Sequence, residues 1–290
     1  MSQLRDLVAA ELRQPVDPKV RALAEAIAAR HGDSSRAVLF YGSCLREHRF
    51  DGLMLDFYLI VSDYRAAYGR GWLAAANRLF PPNVFPFEHD GLTAKYAVLS
   101  EADFHRLNGP ETRNVSVWAR FAQPSRLVWA ADAAAEGRAI AAIARAAPTL
   151  LSAALAVLPN DQPPLDLWRA AFALTYSAEL RAEKQSRSGS VVDADPERYH
   201  RFTAPALAAA RAEGRRCQAS WRRRRIEGKA LSVIRLAKAS ATFAGGVDYI
   251  AWKINRHAGT AIRIKPWQRR WPLLAAVMLV PRLLRSRAIR

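Results

Sequence analysis

Residues 53–61 read LMLDFYLIV, nine residues in which Asp56 is the single charge. Such a run is an apolar strand, and a lone carboxylate in it needs a partner or a metal, because an unpaired charge in apolar surroundings is costly. Ala37-Val38-Leu39-Phe40-Tyr41 is a second buried strand, ended by Gly42, and a loop of about a dozen residues joins the two. A third strand is predicted over residues 93–99 (TAKYAVL). Helical spacing covers residues 3–31, through Leu4, Leu7, Val8, Leu12, Val20, Leu23, Ala24 and Ile27, with a break at Pro15 and Pro18. Residues 64–79 are helical, residues 80–89 form a proline-rich loop, and a further helix starts at Glu101. These elements make an α/β domain over residues 1–130.

From Ala131 the texture changes to an Ala/Leu-rich helical pattern. Helices are predicted over 134–158 and 164–184, separated by Pro159 and the Pro163-Pro164 pair, and over 196–213 after an SRSGS loop. Shorter helices follow over 230–244 and 247–257, split by Gly245-Gly246. The chain therefore divides into 1–130, a helical domain over 131–213, and a C-terminal region over 214–290.

The formal charge is +18, and it is unevenly placed. Residues 214–290 hold nineteen Lys/Arg against two acids, Glu227 and Asp248. A segment this basic seeks polyanions, either nucleic acid or an anionic membrane. Within 266–289, Trp267, Trp271, Leu273, Leu274, Val277 and Met278 are flanked by Arg269, Arg270, Arg282 and Arg285. Clustered aliphatics with Trp and Arg at their margins suit the headgroup boundary. The alternative for this segment is a helix packed on the core with solvated arginines. Nucleic acid is not expected, because it would favour aromatics interleaved with the basic residues. The run Arg222-Arg223-Arg224-Arg225 adds to the membrane surface or meets acidic substrate. The longest apolar run, 271–281, is about half of what a bilayer-spanning helix needs. The N-terminus carries early charges and does not read as a signal peptide. Cys44 and Cys217 form no metal or redox motif, which favours a reducing, cytoplasmic setting.

Chemistry concentrates at Tyr41-Gly42-Ser43 and Leu55-Asp56-Phe57. A strand running into Gly-Ser, a loop, and then a strand bearing an Asp resembles the polymerase-β-like nucleotidyltransferases. Gly42 lets backbone approach a triphosphate, and the amides and hydroxyl around Ser43 can donate to its oxygens. Asp56 offers a hard oxygen ligand for Mg²⁺. The second carboxylate usual two residues on is replaced by Tyr58; Asp51, Asp63, Glu88 or Asp90 could supply another ligand. The plainer alternative is an ordinary turn beside an edge carboxylate.

The wider pattern is similar to the mitochondrial-type phosphatidate cytidylyltransferases, the peripheral CDP-diacylglycerol synthases. It rests on Tyr41-Gly42-Ser43 with Leu55-Asp56-Phe57, then Lys95-Tyr96-Ala97-Val98, Trp118-Ala119-Arg120-Phe121 running to Val128, and Leu158-Pro159 with residues 174–181 (LTYSAELR). These span roughly residues 36–200. Cys44 stands where that family has a glycine, Met54 stands near a common lysine, and Glu179 replaces an aspartate. The resemblance implies a polymerase-β-like nucleotidyltransferase domain, an α-helical domain and a basic amphipathic tail. It implies transfer of CMP from CTP to phosphatidic acid with Mg²⁺, on the inner face of a membrane. Tyr41, Gly42 and Ser43 would hold CTP, Asp56 the metal, and Lys95 a phosphate. Lys95 could equally be an edge-strand lysine whose stem covers apolar surface. Tyr176, Ser177, Glu179 and Arg181 would face the cleft from the helical domain, with Arg181 forking onto the lipid phosphate. Plain helix packing, with a surface Glu179–Lys184 pair, is the alternative for these four. Other acceptors, such as a different lipid phosphate or an RNA end, and a degenerate nucleotide-binding module are the competing functions.

Overall fold

Pro15 and Pro18 divide the N-terminal helical pattern, because a proline ring removes an amide donor and clashes with the preceding turn. In the computed structural model, which describes residues 2–47, 53–159, 161–179, 187–212, 220–242 and 265–266, the two pieces are α1 (Ser2–Leu12) and α2 (Pro18–Ala29). The Asp17 carboxylate caps α2 by accepting from the Lys19 amide at 2.8 Å. There follow β1 (Ser35–Tyr41), α3 (Ser43–Glu47), β2 (Met54–Val61), α4 (Tyr64–Tyr68), α5 (Gly71–Leu79), β3 (Asn83–His89), β4 (Leu92–Ser100), α6 (Glu101–Asn108), α7 (Trp118–Phe121) and β5 (Ser125–Ala130). The rest of the described chain is helical: α8 (Ala133–Ile143), α9 (Ala146–Leu155), α10 (Pro164–Ala178), α11 (Arg187–Asp193), α12 (Pro196–Ala212) and α13 (Trp221–Thr242).

The strands form one open mixed sheet of order β3-β4-β2-β1-β5. β2 and β4 are parallel, and the other neighbours are antiparallel. The expected proline-rich loop over 80–89 is corrected: its second part is the edge strand β3. Pro86 is tolerated there because an edge strand has one side on which no amide is needed. Strand β5 was not anticipated either. The helix expected over 64–79 is two helices, separated after Tyr68 by Gly69 at φ +58°. The basic run at 222–225 and the helix expected from 230 are one continuous helix, α13.

Alternation along the strands sorts the core into two faces. Val38, Phe40, Leu55, Phe57, Leu59 and Val98 pack with Val20, Leu23 and Ile27 of α2. On the opposite face Leu39, Tyr58, Ile60 and Leu99 pack with α1, with Trp118 of α7 and with the helices after β5, including Leu150, Trp168 and Phe172. One apolar core therefore joins this sheet face to the helical region, and α1 belongs to that layer. Arg198 of α12 locks the arrangement: it is buried, forks onto Glu11 of α1, and donates to the Ala122 carbonyl at 3.0 Å.

The helical stretch Ala133–Leu155 is long and apolar enough to cross a membrane, but about 67% of its most apolar 18-residue window is buried inside the fold. Apolarity of that kind is also what a core helix requires.

Candidate active site

β1 ends at Tyr41, and the chain turns at Gly42 with φ +99°, a backbone conformation that side chains disfavour. The antiparallel register sets Tyr41 opposite Asp56, and the parallel register on the other side of β2 sets Asp56 opposite Lys95. Asp56 shares its sheet face with Tyr58, the face covered by the helical layer. A Cβ on Gly42 would stand 3.0 Å from Asp56 Oδ2, so the turn and the carboxylate approach as closely as a missing side chain permits. The other oxygen, Oδ1, lies 2.9 Å from Lys95 Nζ, and both side chains are roughly three-quarters buried, at 22% and 24% exposure.

A cavity of about 230 Å³ opens beside this pair. Tyr41, Tyr58 and Lys95 line it from the sheet, Ser116 and Arg120 from the segment around α7, and Arg235 and Lys238 from α13. The three aromatic rings of Tyr41, Tyr58 and Phe121 pack against one another at centroid distances of 5.1–6.1 Å. Burial, followed by the nearby Asp56 charge, pushes the Tyr41 hydroxyl well above the usual range. Burial likewise raises Tyr58. Both are thus neutral hydrogen-bonding groups at physiological pH.

The cations are arranged around Ser116. Arg120 donates to the Ser116 carbonyl and pairs with Glu179 at 3.5 Å. Arg235 Nη1 donates to the Ser116 hydroxyl at 2.8 Å. Lys238 Nζ donates to the Phe80 carbonyl, at the approach to β3. Burial opposes the Arg120 charge, yet Glu179, Tyr58, Tyr41 and Asp56 together outweigh it and raise its pKa. Burial lowers Arg235. Burial, and then Arg235, bring Lys238 down to about 7.

Helix α13 reaches the cleft because it seats tightly on α10. A Cβ on Gly228 would overlap the Ala178 carbonyl oxygen. Trp221 anchors its start by donating from Nε1 to the Ala153 carbonyl at 2.8 Å. Arg224 corrects the surface role expected of its basic run: it is buried, donates to the Arg113 carbonyl at 2.7 Å, and lies over the Trp118 and Trp221 rings.

Of the residues singled out in the sequence, Tyr41, Gly42, Asp56 and Lys95 come together. Ser43 begins α3, directly after the turn. Glu179 is buried rather than part of a surface pair, and it reaches the cleft through Arg120. Ser177 spends its hydroxyl on the Leu174 carbonyl within α10, at 2.7 Å, and neither it nor Tyr176 lines the cavity. Arg181 and the tail over 266–289, apart from Pro266, lie outside the described residues. Among the alternative carboxylates, Asp63 caps α4, Asp90 sits 3.4 Å from His89, and Glu88 is exposed on β3; Asp51 is outside the described residues. Arg235 and Lys238 were missed as site residues because they read as part of the basic C-terminal quarter. Their only sequence signal is i,i+3 spacing on one helix face.

Among the described residues no group of three or more His, Cys, Asp or Glu could hold a metal. Asp56 is the carboxylate beside the Gly42 turn, with Oδ1 paired to Lys95; a Mg²⁺ ion held by it would complete its shell with other oxygens, such as those of phosphate and water. The chain matches no protein-family model, and comparison with curated proteins returns no match.

Proposed function

We propose that the chain is a nucleotidyltransferase of polymerase-β-like fold that transfers CMP from CTP to phosphatidic acid, giving CDP-diacylglycerol and pyrophosphate. One observation carries the reading: at Gly42, with φ +99°, a β-carbon would stand 3.0 Å from Asp56 Oδ2, a contact tighter than side chains ordinarily make. A turn without a side chain beside a strand carboxylate is what a triphosphate bearing a divalent cation requires. The cationic cavity alongside supplies electrostatic attraction for further phosphate.

In this reading Gly42 and Ser43 offer backbone amides to the triphosphate, and Asp56 holds Mg²⁺, which neutralises phosphate charge when bound. Lys95 steadies Asp56 and turns toward phosphate as the nucleotide enters. An oxygen of the acceptor monoester attacks the α-phosphorus, the bond from that phosphorus to the bridging oxygen breaks, and pyrophosphate leaves. A monoester with a second pKa of about 6 is already ionised near neutrality, so no strong base is needed. The basic C-terminal region brings the enzyme to the cytoplasmic, inner face of an anionic membrane as a peripheral protein.

A second reading is favoured by the Asp56–Lys95 ion pair together with Tyr58 in place of a second carboxylate. In it the protein binds nucleotide at a membrane without turnover. Pyrophosphate release from CTP, measured with phosphatidate vesicles and with RNA as acceptors, separates the readings. Release with phosphatidate alone supports the cytidylyltransferase. Release with RNA alone replaces the acceptor, and CTP binding without release on either supports the binding module.

A further inference from the structure

Three cations and one carboxylate meet on the α13 side of the cleft. Arg120 and Arg235 both bond to Ser116, through its carbonyl and its hydroxyl respectively. Lys238, one turn beyond Arg235, lines the same cavity. Glu179 is the acid paired there, 3.5 Å from Arg120. On the sheet side Lys95 and Asp56 offset one another. Among the described residues, the α13 side thus carries more cations than carboxylates in a partly desolvated setting. Arg235 also has a buried Nε that makes no hydrogen bond among the described residues. Like charges so placed repel unless an anion joins them, and guanidinium groups match a tetrahedral oxyanion by geometry as well as charge. The rest of the lining includes the apolar Pro82, Val84 and Ala97 and the neutral Tyr58 ring, beside Tyr41, Phe57 and Lys95. A group with a charged head and an uncharged body suits that lining better than a second polyanion does.

We propose that Arg120, Arg235, Lys238 and Ser116 form a subsite for a phosphate monoester, separate from the Gly42–Asp56 turn. That this monoester is the acceptor of the transfer rests on the nucleotidyltransferase reading; that the cavity binds it does not. Arg235 and Lys238 belong to α13, so the helix leading toward the basic C-terminal region completes the site.

The test is binding of sn-glycerol 3-phosphate to the full chain by isothermal titration calorimetry, without nucleotide or metal. Wild type is expected to bind, with Arg235→Gln and Lys238→Met each weaker by roughly tenfold or more, the scale of losing one charged hydrogen bond. Thermal unfolding of each variant checks the fold, and Lys238→Met serves if Arg235→Gln does not fold. Competition of the soluble monoester against phosphatidate vesicles assigns the subsite to a lipid headgroup. Soluble binding that does not compete assigns it to a free monoester. No binding by wild type, or wild-type affinity in both cavity variants, overturns the subsite. CTP turnover persisting in that case leaves the nucleotidyltransferase reading intact.

Discussion

Lys95 Nζ stands 2.9 Å from Asp56 Oδ1, while Asp56 Oδ2 faces the bare backbone of Gly42. Each carboxylate oxygen therefore has its own neighbour, one a cation and the other an open turn. The parallel register of β2 and β4 makes Lys95 the lateral neighbour of Asp56, so the pair is built into the sheet. Nucleotide and metal would approach from the Gly42 side, and the lysine would keep the carboxylate aimed there.

Replacing Lys95 by Met strands a carboxylate that is 22% exposed, and is expected to destabilise the fold by about 2 kcal/mol. Adding Asp56→Asn should recover part of that loss. Chemical denaturation of the two single variants and the double variant gives the coupling energy. Strictly additive effects would show that the pair contributes nothing.

Asp56→Asn keeps the side-chain size and removes the charge. Pyrophosphate release is expected to fall by roughly 100-fold or more, as when a principal electrostatic group is removed from a transition state. Some loss of stability is expected as well, because Lys95, at 24% exposure, loses its carboxylate partner, and thermal unfolding separates that loss from the loss of turnover. Unchanged release would remove Asp56 from the chemistry.

Gly42→Ala forces a side chain into a backbone at φ +99° and sets its Cβ 3.0 Å from Asp56 Oδ2. The strain is expected to cost about 1–3 kcal/mol of stability. Turnover should fall further than stability accounts for, since the carboxylate must move. Differential scanning calorimetry beside the pyrophosphate assay checks both.

Lys238 ties the cavity to pH. Its pKa is held down to about 7 by burial first and Arg235 second, in a cleft it shares with Arg120 and Lys95, which pair with Glu179 and Asp56 respectively. Sulfate does not titrate in this range, so its affinity should fall as pH rises through 7 and 8, and Lys238→Met should flatten the profile. The folding linkage has a definite sign. Between about 7 and the ordinary value of 10.5, the unfolded chain holds a proton that the folded chain lacks, so Lys238 makes stability rise with pH across that window. Below 7 both states are protonated and the penalty of the buried charge is present in full. Lys238→Met should remove that slope in urea titrations.

Arg198→Met is expected to destabilise by about 3–5 kcal/mol, because it leaves Glu11 a buried and unpaired charge between α1 and α12. Glu11→Gln made together with Arg198→Met should restore a part. Equilibrium unfolding measures it, and a loss under 1 kcal/mol would mean that water reaches the pair.

The residue order alone made much of this legible. An apolar run holding one charge specified β2 and put Asp56 on it, and Gly42 after an apolar run specified the end of β1. Both are local consequences of periodicity and backbone freedom, which act over a few residues. The N-terminal helices and the one after Pro196 followed from apolar spacing and proline breaks for the same reason, but the division of 64–79 at Gly69 and the helix α11 in place of the SRSGS loop did not. Strand β3 was not legible, since Pro86 argues for a loop until a sheet edge exists to receive it. Nor could a list of residues say that Lys95 lies beside Asp56, because that depends on a parallel register set by packing. The cavity was least visible of all. Arg120 and Glu179 are far along the chain from each other and from the Arg235–Lys238 pair, and α13 docking on α10 at Gly228 brings that pair to Arg120. Charge composition determined that the last quarter is basic; tertiary packing decided which of its cations meet in the cavity, because electrostatic interaction depends on distance in space and not along the chain.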